Sequence, residues 1–112
     1  MKAFNSIKGV IYLFLSALLF VGCTNKNSYI PQTHVVEIKD MLFEPADLIV
    51  HKGDTVIWIN RDIVPHDVTE ENKDWASPAL VSDASFKKVI TQSDSYYCSI
   101  HLVMKGKLTV EE

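Results

Sequence analysis

From His34 to the C-terminus, apolar residues come in short stretches separated by polar turns. Val35-Val36-Glu37-Ile38 is the first such stretch and ends at Asp40. Leu48-Ile49-Val50 runs into Lys52-Gly53-Asp54, a turn signal in which glycine supplies positive φ. Thr55-Val56-Ile57-Trp58-Ile59-Asn60 is β-branched and aromatic, the composition of a strand, and the alternation puts Trp58 in the core. Ser85 to Thr91, Ser95 to Cys98 and Lys107 to Val110 complete the set. Short strands at intervals of about ten residues, with little helical periodicity, predict an all-β sandwich. Glu70 to Ser85 is the least strand-like stretch. It reads as a loop with one helical turn, and Glu70, Glu71 and Asp74 read as a solvated face. His34 and His51 read as solvent-exposed, and Asp47 and Asp54 as turn residues.

The N-terminal stretch has a different pattern. Residues 1–22 carry Lys2 and Lys8, no acidic residue, and an apolar run from Val10 to Val21. A basic start, an apolar run of about a dozen residues and small residues at its end describe a secretory signal. A membrane-spanning helix needs about 20 apolar residues, so the run is short for one. A buried core helix is the competing reading, but the run stops abruptly at Gly22-Cys23 and turns polar. Leu19-Phe20-Val21-Gly22-Cys23 resembles a bacterial lipoprotein cleavage box, although Phe20 stands where Leu, Val or Ile is usual. That resemblance implies a diacylglycerol on the Cys23 thiol and cleavage just before it. Several acyl chains hold a protein stably on a bilayer where one binds only marginally. Thr24 to Thr33 is polar, contains Pro31 and reads as a flexible tether, leaving residues 34–112 as the folded domain.

Charge and cysteines narrow the function. The whole chain has a formal charge of −3; losing residues 1–22 removes two lysines and no acid, which makes it −5. That argues against a nucleic-acid surface, which needs a basic patch, and favours a cationic or metal-bearing partner. Two cysteines in an exported protein also allow a Cys23–Cys98 disulfide. Each has an alternative use, Cys23 at a lipidation site and Cys98 in a cluster of metal-ligand types.

That cluster is Cys98-Ser99-Ile100-His101-Leu102-Val103-Met104, in which Cys, His and Met recur at spacings of three. One helical face, or three unrelated core residues, would give the same spacing. Tyr96-Tyr97 before it, and Gly106 and β-branched residues after it, weigh against a helix. His66 follows Pro65 beyond the clearest strand and supplies a further ligand type. Two imidazoles, a thiolate and a weak thioether form the copper electron-transfer site.

Residues 35–112 resemble the cupredoxins of the plastocyanin/azurin group, and most of all its amicyanin branch. The matching motifs are Phe43-Glu44-Pro45, Lys52-Gly53-Asp54-Thr55-Val56, Trp58-Ile59-Asn60, Pro65-His66, Cys98-x-x-His101-x-x-Met104 and Lys105-Gly106-Lys107-Leu108-Thr109-Val110. The two-residue gap between His101 and Met104 is the amicyanin spacing. The resemblance implies a Greek-key sandwich of seven or eight strands, one-electron transfer, and one copper held by His66, Cys98, His101 and Met104. Asp67 stands where the family usually has Asn, and Ile100 where it often has Pro. The family's Asn implies that Asp67 links the first ligand to Ser99. The resemblance also implies an apolar rim around His101, with Met41, Pro65, Ile100, Leu102 and Val103 as a docking face.

Three functions compete. The favoured one is a monomeric electron carrier serving a cytochrome, oxidase or dehydrogenase from outside the cytoplasm, on a bacterial membrane. A copper carrier delivering metal to another protein is the second, though a four-donor set with a thiolate favours retention. A catalytic copper centre is the third. It needs an open coordination position, and no nucleophile with an activating base is apparent, so a non-enzyme is expected.

Overall fold

The computed structural model describes residues 28–112; the proposed signal and Cys23 lie outside them. Eight strands form: β1 (Thr33–Lys39), β2 (Leu42–Glu44), β3 (Asp47–His51), β4 (Thr55–Asn60), β5 (Thr69–Glu70), β6 (Ser85–Val89), β7 (Asp94–Tyr97) and β8 (Lys105–Glu111). They make two four-stranded sheets, ordered β2-β1-β4-β6 and β3-β8-β7-β5. The all-β sandwich read from the sequence is the observed fold. No helix occurs among the described residues, so the stretch between Glu70 and Ser85 is a loop without the helical turn expected there.

Alternation decides which side chains fill the sandwich. Along β4, Val56, Trp58 and Asn60 point inward. On β1 the inward residues are Val36 and Ile38. Trp58 and Tyr96 meet edge to face at 5.5 Å, and Tyr96 meets Phe43 in the same way at 4.8 Å. These two aromatic pairs join the sheets across the core. Tyr96 lies opposite Gly106 in the β7–β8 ladder. A Cβ on Gly106 would come within 2.2 Å of the Tyr96 ring, so the position accepts no side chain while the ring stays where it is.

Register sets the two ends of the sandwich. β1 runs parallel to β4, pairing Thr33 with Thr55 and Ile38 with Asn60. β3 runs parallel to β8, pairing Asp47 with Lys107 and His51 with Glu111. The β3–β4 turn therefore lies at one end. The loop after β4 and the β7–β8 loop lie at the other.

Besides the helical turn, the readings of Glu70 and His34 differ from the structure. Glu70 is buried rather than solvated, because its carboxylate accepts the N–H groups of Asn72 (2.8 Å) and Asp74 (3.0 Å) and closes its own loop. Asp54 does lie in a turn, but it is fully buried. Oδ1 accepts from the Tyr29 hydroxyl (2.7 Å) and the Gln32 N–H (2.9 Å). Oδ2 accepts from the His51 N–H (3.0 Å) and pairs with His34 Nε2 (2.8 Å). Burial pushes the Asp54 carboxyl up, but these donors outweigh it and hold it below the usual carboxylate range. The same contact pushes the Tyr29 phenol up to about 12. His34 is thus a partner of Asp54, only partly exposed.

Candidate metal centre

β4 ends at Asn60, whose inward parity buries an amide at the edge of the core. Its Nδ2 donates to the carbonyls of Val64 (2.9 Å) and Leu80 (2.8 Å), and its Oδ1 accepts the Asp62 N–H (2.9 Å). The amide therefore folds the 61–65 loop back on itself. His66 is then fixed by a two-way backbone pair with Leu80, N to O at 3.1 Å and O to N at 2.7 Å. The second loop is pinned equally locally. The Cys98 N–H donates to the Met104 carbonyl (3.1 Å) and the Met104 N–H to the His101 carbonyl (3.0 Å).

These loops bring His66, Cys98 and His101 together, with Nδ1, Sγ and Nδ1 all within 4.8 Å of one another. The two Nδ1 atoms are 3.1 Å apart. Cys98 Sγ lies 3.8 Å from His66 Nδ1 and 3.9 Å from His101 Nδ1. An ion about 2.0–2.1 Å from nitrogen and about 2.3 Å from sulfur, in the plane of the three, needs edges of roughly 3.5–3.8 Å. The two N–S edges match, while the 3.1 Å N–N edge is shorter and corresponds to an N–ion–N angle of roughly 100°, narrower than trigonal, so the triangle still accommodates one small ion. Soft thiolate with imidazole is a donor set that suits copper. His66 and Cys98 are 0% exposed, and His101 is partly exposed. Met104 is buried at the end of the same loop.

The surroundings settle the orientation of the donors. His66 Nε2 lies 2.8 Å from Asp62 Oδ2. That bond puts the proton on Nε2 and leaves a lone pair on Nδ1, facing the other donors. Asp62 also accepts the N–H groups of Asp40 (2.8 Å) and Met41 (3.0 Å). Both are non-glycine residues with positive φ, 54° and 62°, which form the β1–β2 turn. Burial opposes charge on Asp62, but these N–H groups and His66 hold its carboxyl below the usual range.

Asp67 bridges the two ligand loops. Its N–H donates to Cys98 Sγ (3.4 Å). Its Oδ1 accepts from the Ser99 N–H (2.7 Å) and the Thr69 hydroxyl (3.0 Å), and its Oδ2 accepts from the Ser99 hydroxyl. Sequence reasoning singled out Asp67 and Ser99 but missed Asn60, Asp62 and Leu80. The inward parity of Asn60 was a signal that could have found it. For Leu80 there was none, because its backbone does the work. Met41, Pro65, Ile100, Leu102 and Val103 are all exposed. Ile63 was not named in the sequence reading and is 95% exposed.

Comparison with known proteins agrees with this geometry. The family described as copper binding proteins, plastocyanin/azurin family, matches residues 32–111, and the chain belongs to it. It is 33% identical over 84 residues to amicyanin of Paracoccus denitrificans, an alignment covering 69% of this chain and 64% of that protein. The chain thus spans a little under two thirds of that relative's length. It is 26% identical over 132 residues to a plastocyanin of a Synechococcus strain, covering 96% of each. Among solved structures, a Cu(I) amicyanin with a methionine-to-alanine change matches with a TM-score of 0.66 at 31% identity, over 70% of this chain and 82% of that one. Amicyanin of Paracoccus versutus matches with a TM-score of 0.63 at 26% identity, over 70% and 81%.

Proposed function

We propose that this protein carries single electrons between redox proteins outside the cytoplasm, using one type 1 copper held by His66, Cys98, His101 and Met104, and that lipidated Cys23 tethers it to a bacterial membrane. The observation that carries the reading is the triangle of His66 Nδ1, Cys98 Sγ and His101 Nδ1, with His66 Nε2 turned away to Asp62 Oδ2. Copper bound there supplies a one-electron Cu(I)/Cu(II) couple. The soft thiolate suits Cu(I), imidazole suits both states, and the weak thioether gives Cu(II) a fourth donor. The braces from Asn60, Asp67 and the Cys98–Met104 backbone pair keep the donors in place when the charge changes.

Burial of His66, Cys98 and Met104 leaves the His101 imidazole as the edge of the centre that reaches solvent. Electrons pass there without any donor leaving, which suits a carrier that retains its metal and is not an enzyme. Ile100, Leu102 and Val103 flank His101 in sequence and are exposed, as are Met41 and Pro65. An exposed apolar face of this kind fits transient docking of a monomer with a cytochrome, oxidase or dehydrogenase.

Voltammetry tests the reading. The copper-loaded protein should give a reversible one-electron wave. Met104→Leu should raise the potential, because a fourth donor stabilises Cu(II), and Cys98→Ser should remove the wave. Loss of copper to a competing chelator within seconds would favour delivery of metal over electron transfer.

A further inference from the structure

The segment before β1 is held against the domain. The Tyr29 hydroxyl and the Gln32 N–H both donate to Asp54 Oδ1, at 2.7 and 2.9 Å. The Tyr29 ring stacks on His51 at 4.5 Å. The Thr55 N–H donates to the Gln32 carbonyl at 2.9 Å. The carboxylate that receives Tyr29 is fully buried and also holds His34 and the His51 backbone. Tyr29 is thereby attached to a fixed point in the β3–β4 turn.

That point lies at the end of the sandwich away from the metal donors. Thr33 pairs with Thr55 at the start of β4, and His66 comes after Asn60 at its finish. β4 alone spans about 17 Å at about 3.3 Å per residue. Ile63 lies in the loop beyond it, and Leu102 and Val103 lie in the β7–β8 loop at the same end. These are among the most exposed apolar side chains described, at 95%, 66% and 86%. Such a face could meet lipid or protein.

We propose that the docked Tyr29–Gln32 segment turns the metal-bearing end away from the bilayer, so that this apolar face receives the apolar patch of a protein partner in the aqueous phase and not the membrane. The inference rests on the Cys23 anchor proposed above. Between Cys23 and Tyr29 lie five residues, 24–28. Fully extended, they reach at most about 20–22 Å. To lay the far face on lipid, that linker would have to run back from Asp54 to Asn60, already about 20 Å at about 3.3 Å per residue, and then past the loops beyond, which exceeds its reach. With Tyr29 released, the free chain extends to Gln32 and its reach rises to about 30 Å, enough for either end to touch. The docked segment thus fixes the orientation, and the end bearing His51, Lys52 and Gly53 faces the headgroups.

The test uses the full lipidated protein in its diamagnetic Cu(I) form, on nanodiscs of phosphatidylcholine containing a headgroup-nitroxide lipid. Amide signals of His51, Lys52 and Gly53 should broaden, while those of Ile63, Leu102 and Val103 stay sharp. Broadening at Ile63, Leu102 and Val103 in the wild type would overturn the proposal, because the apolar face would then be taking lipid. Tyr29→Ala removes both the hydroxyl contact with Asp54 and the ring stacking on His51, and should spread broadening to both ends. An unchanged pattern in that variant would overturn the role of the docked segment. If the protein does not stay with the nanodiscs, the Cys23 anchor fails and this inference falls with it. That result is distinct from retention with the metal end on the lipid.

Discussion

Each end of the sandwich buries a polar cluster, and the two are built on opposite rules. At the β3–β4 turn, Asp54 is one acceptor group surrounded by donors: a phenol, two backbone N–H groups and an imidazole. Every buried polar atom there is matched within the chain, so the cluster is complete as a structural joint. At the other end, His66, Cys98 and His101 turn electron-rich atoms toward a common point 3.1–3.9 Å apart. The His66 Nε2–H is occupied by Asp62, and Cys98 Sγ accepts the Asp67 N–H, so the sulfur acts as an acceptor here. Buried acceptors that face one another call for a cation. Burial and charge alone would not separate the two clusters, but the balance of donors and acceptors does.

This contrast can be broken from either side. The largest effect is expected at Asp62. Asp62→Ala frees His66 to rotate or to place its proton on Nδ1, and it also leaves the Asp40 and Met41 N–H groups without their acceptor. Loss of such an orienting partner typically weakens metal affinity by about 10- to 100-fold. Competition with a chromophoric chelator measures this directly. Unchanged affinity would mean that Asp62 serves only the β1–β2 turn.

Asp54→Asn should act on stability and leave the copper site alone. The Asp54 carboxyl is held low in the folded protein, whereas an unfolded aspartate titrates near about 3.9. A depressed carboxyl contributes stability that is whole above the unfolded value and is lost as pH falls through the folded one. The variant should therefore melt several degrees lower at neutral pH. Its Tm should also fall less steeply than wild type as the pH drops below about 4. Thermal unfolding followed by circular dichroism across pH 2–7, with the visible spectrum as a control, separates this from damage to the centre.

The smallest effect is expected at Asp67. Its carboxylate accepts the Ser99 N–H, the Ser99 hydroxyl and the Thr69 hydroxyl. Asp67→Asn keeps the shape and removes a negative charge beside Cys98, which should favour Cu(I). The reduction potential should rise by an amount on the order of tens of millivolts. Equal potentials in voltammetry of the two proteins would show that the charge is screened.

Much of this was legible in the sequence because it is periodic or local. The alternation in β4 marked Trp58 as core, and the Cys98–His101–Met104 spacing marked the second ligand loop. β2 and β5 have only three and two residues, and their existence depends on pairing with β1 and β7, which no local pattern records. Glu70 looked solvated because its acceptors' partners, the Asn72 and Asp74 N–H groups, are backbone and carry no side-chain signature. Asp54 looked like any turn aspartate. Its burial depends on Tyr29 and Gln32, which lie 25 and 22 residues away and belong to a stretch that reads as a polar tether. Asp62 was missed for a related reason, because the i to i+4 spacing to His66 means contact in a helix but carries no such meaning in a loop.

The central claim is that the three facing donors hold copper through the Cys98 thiolate. Adding one equivalent of Cu(II) to the protein and recording its visible absorption tests this most directly. An intense blue or green thiolate-to-copper band, absent in Cys98→Ser, is the predicted result. A pale spectrum like that of hydrated copper, the same in both proteins, would contradict the account.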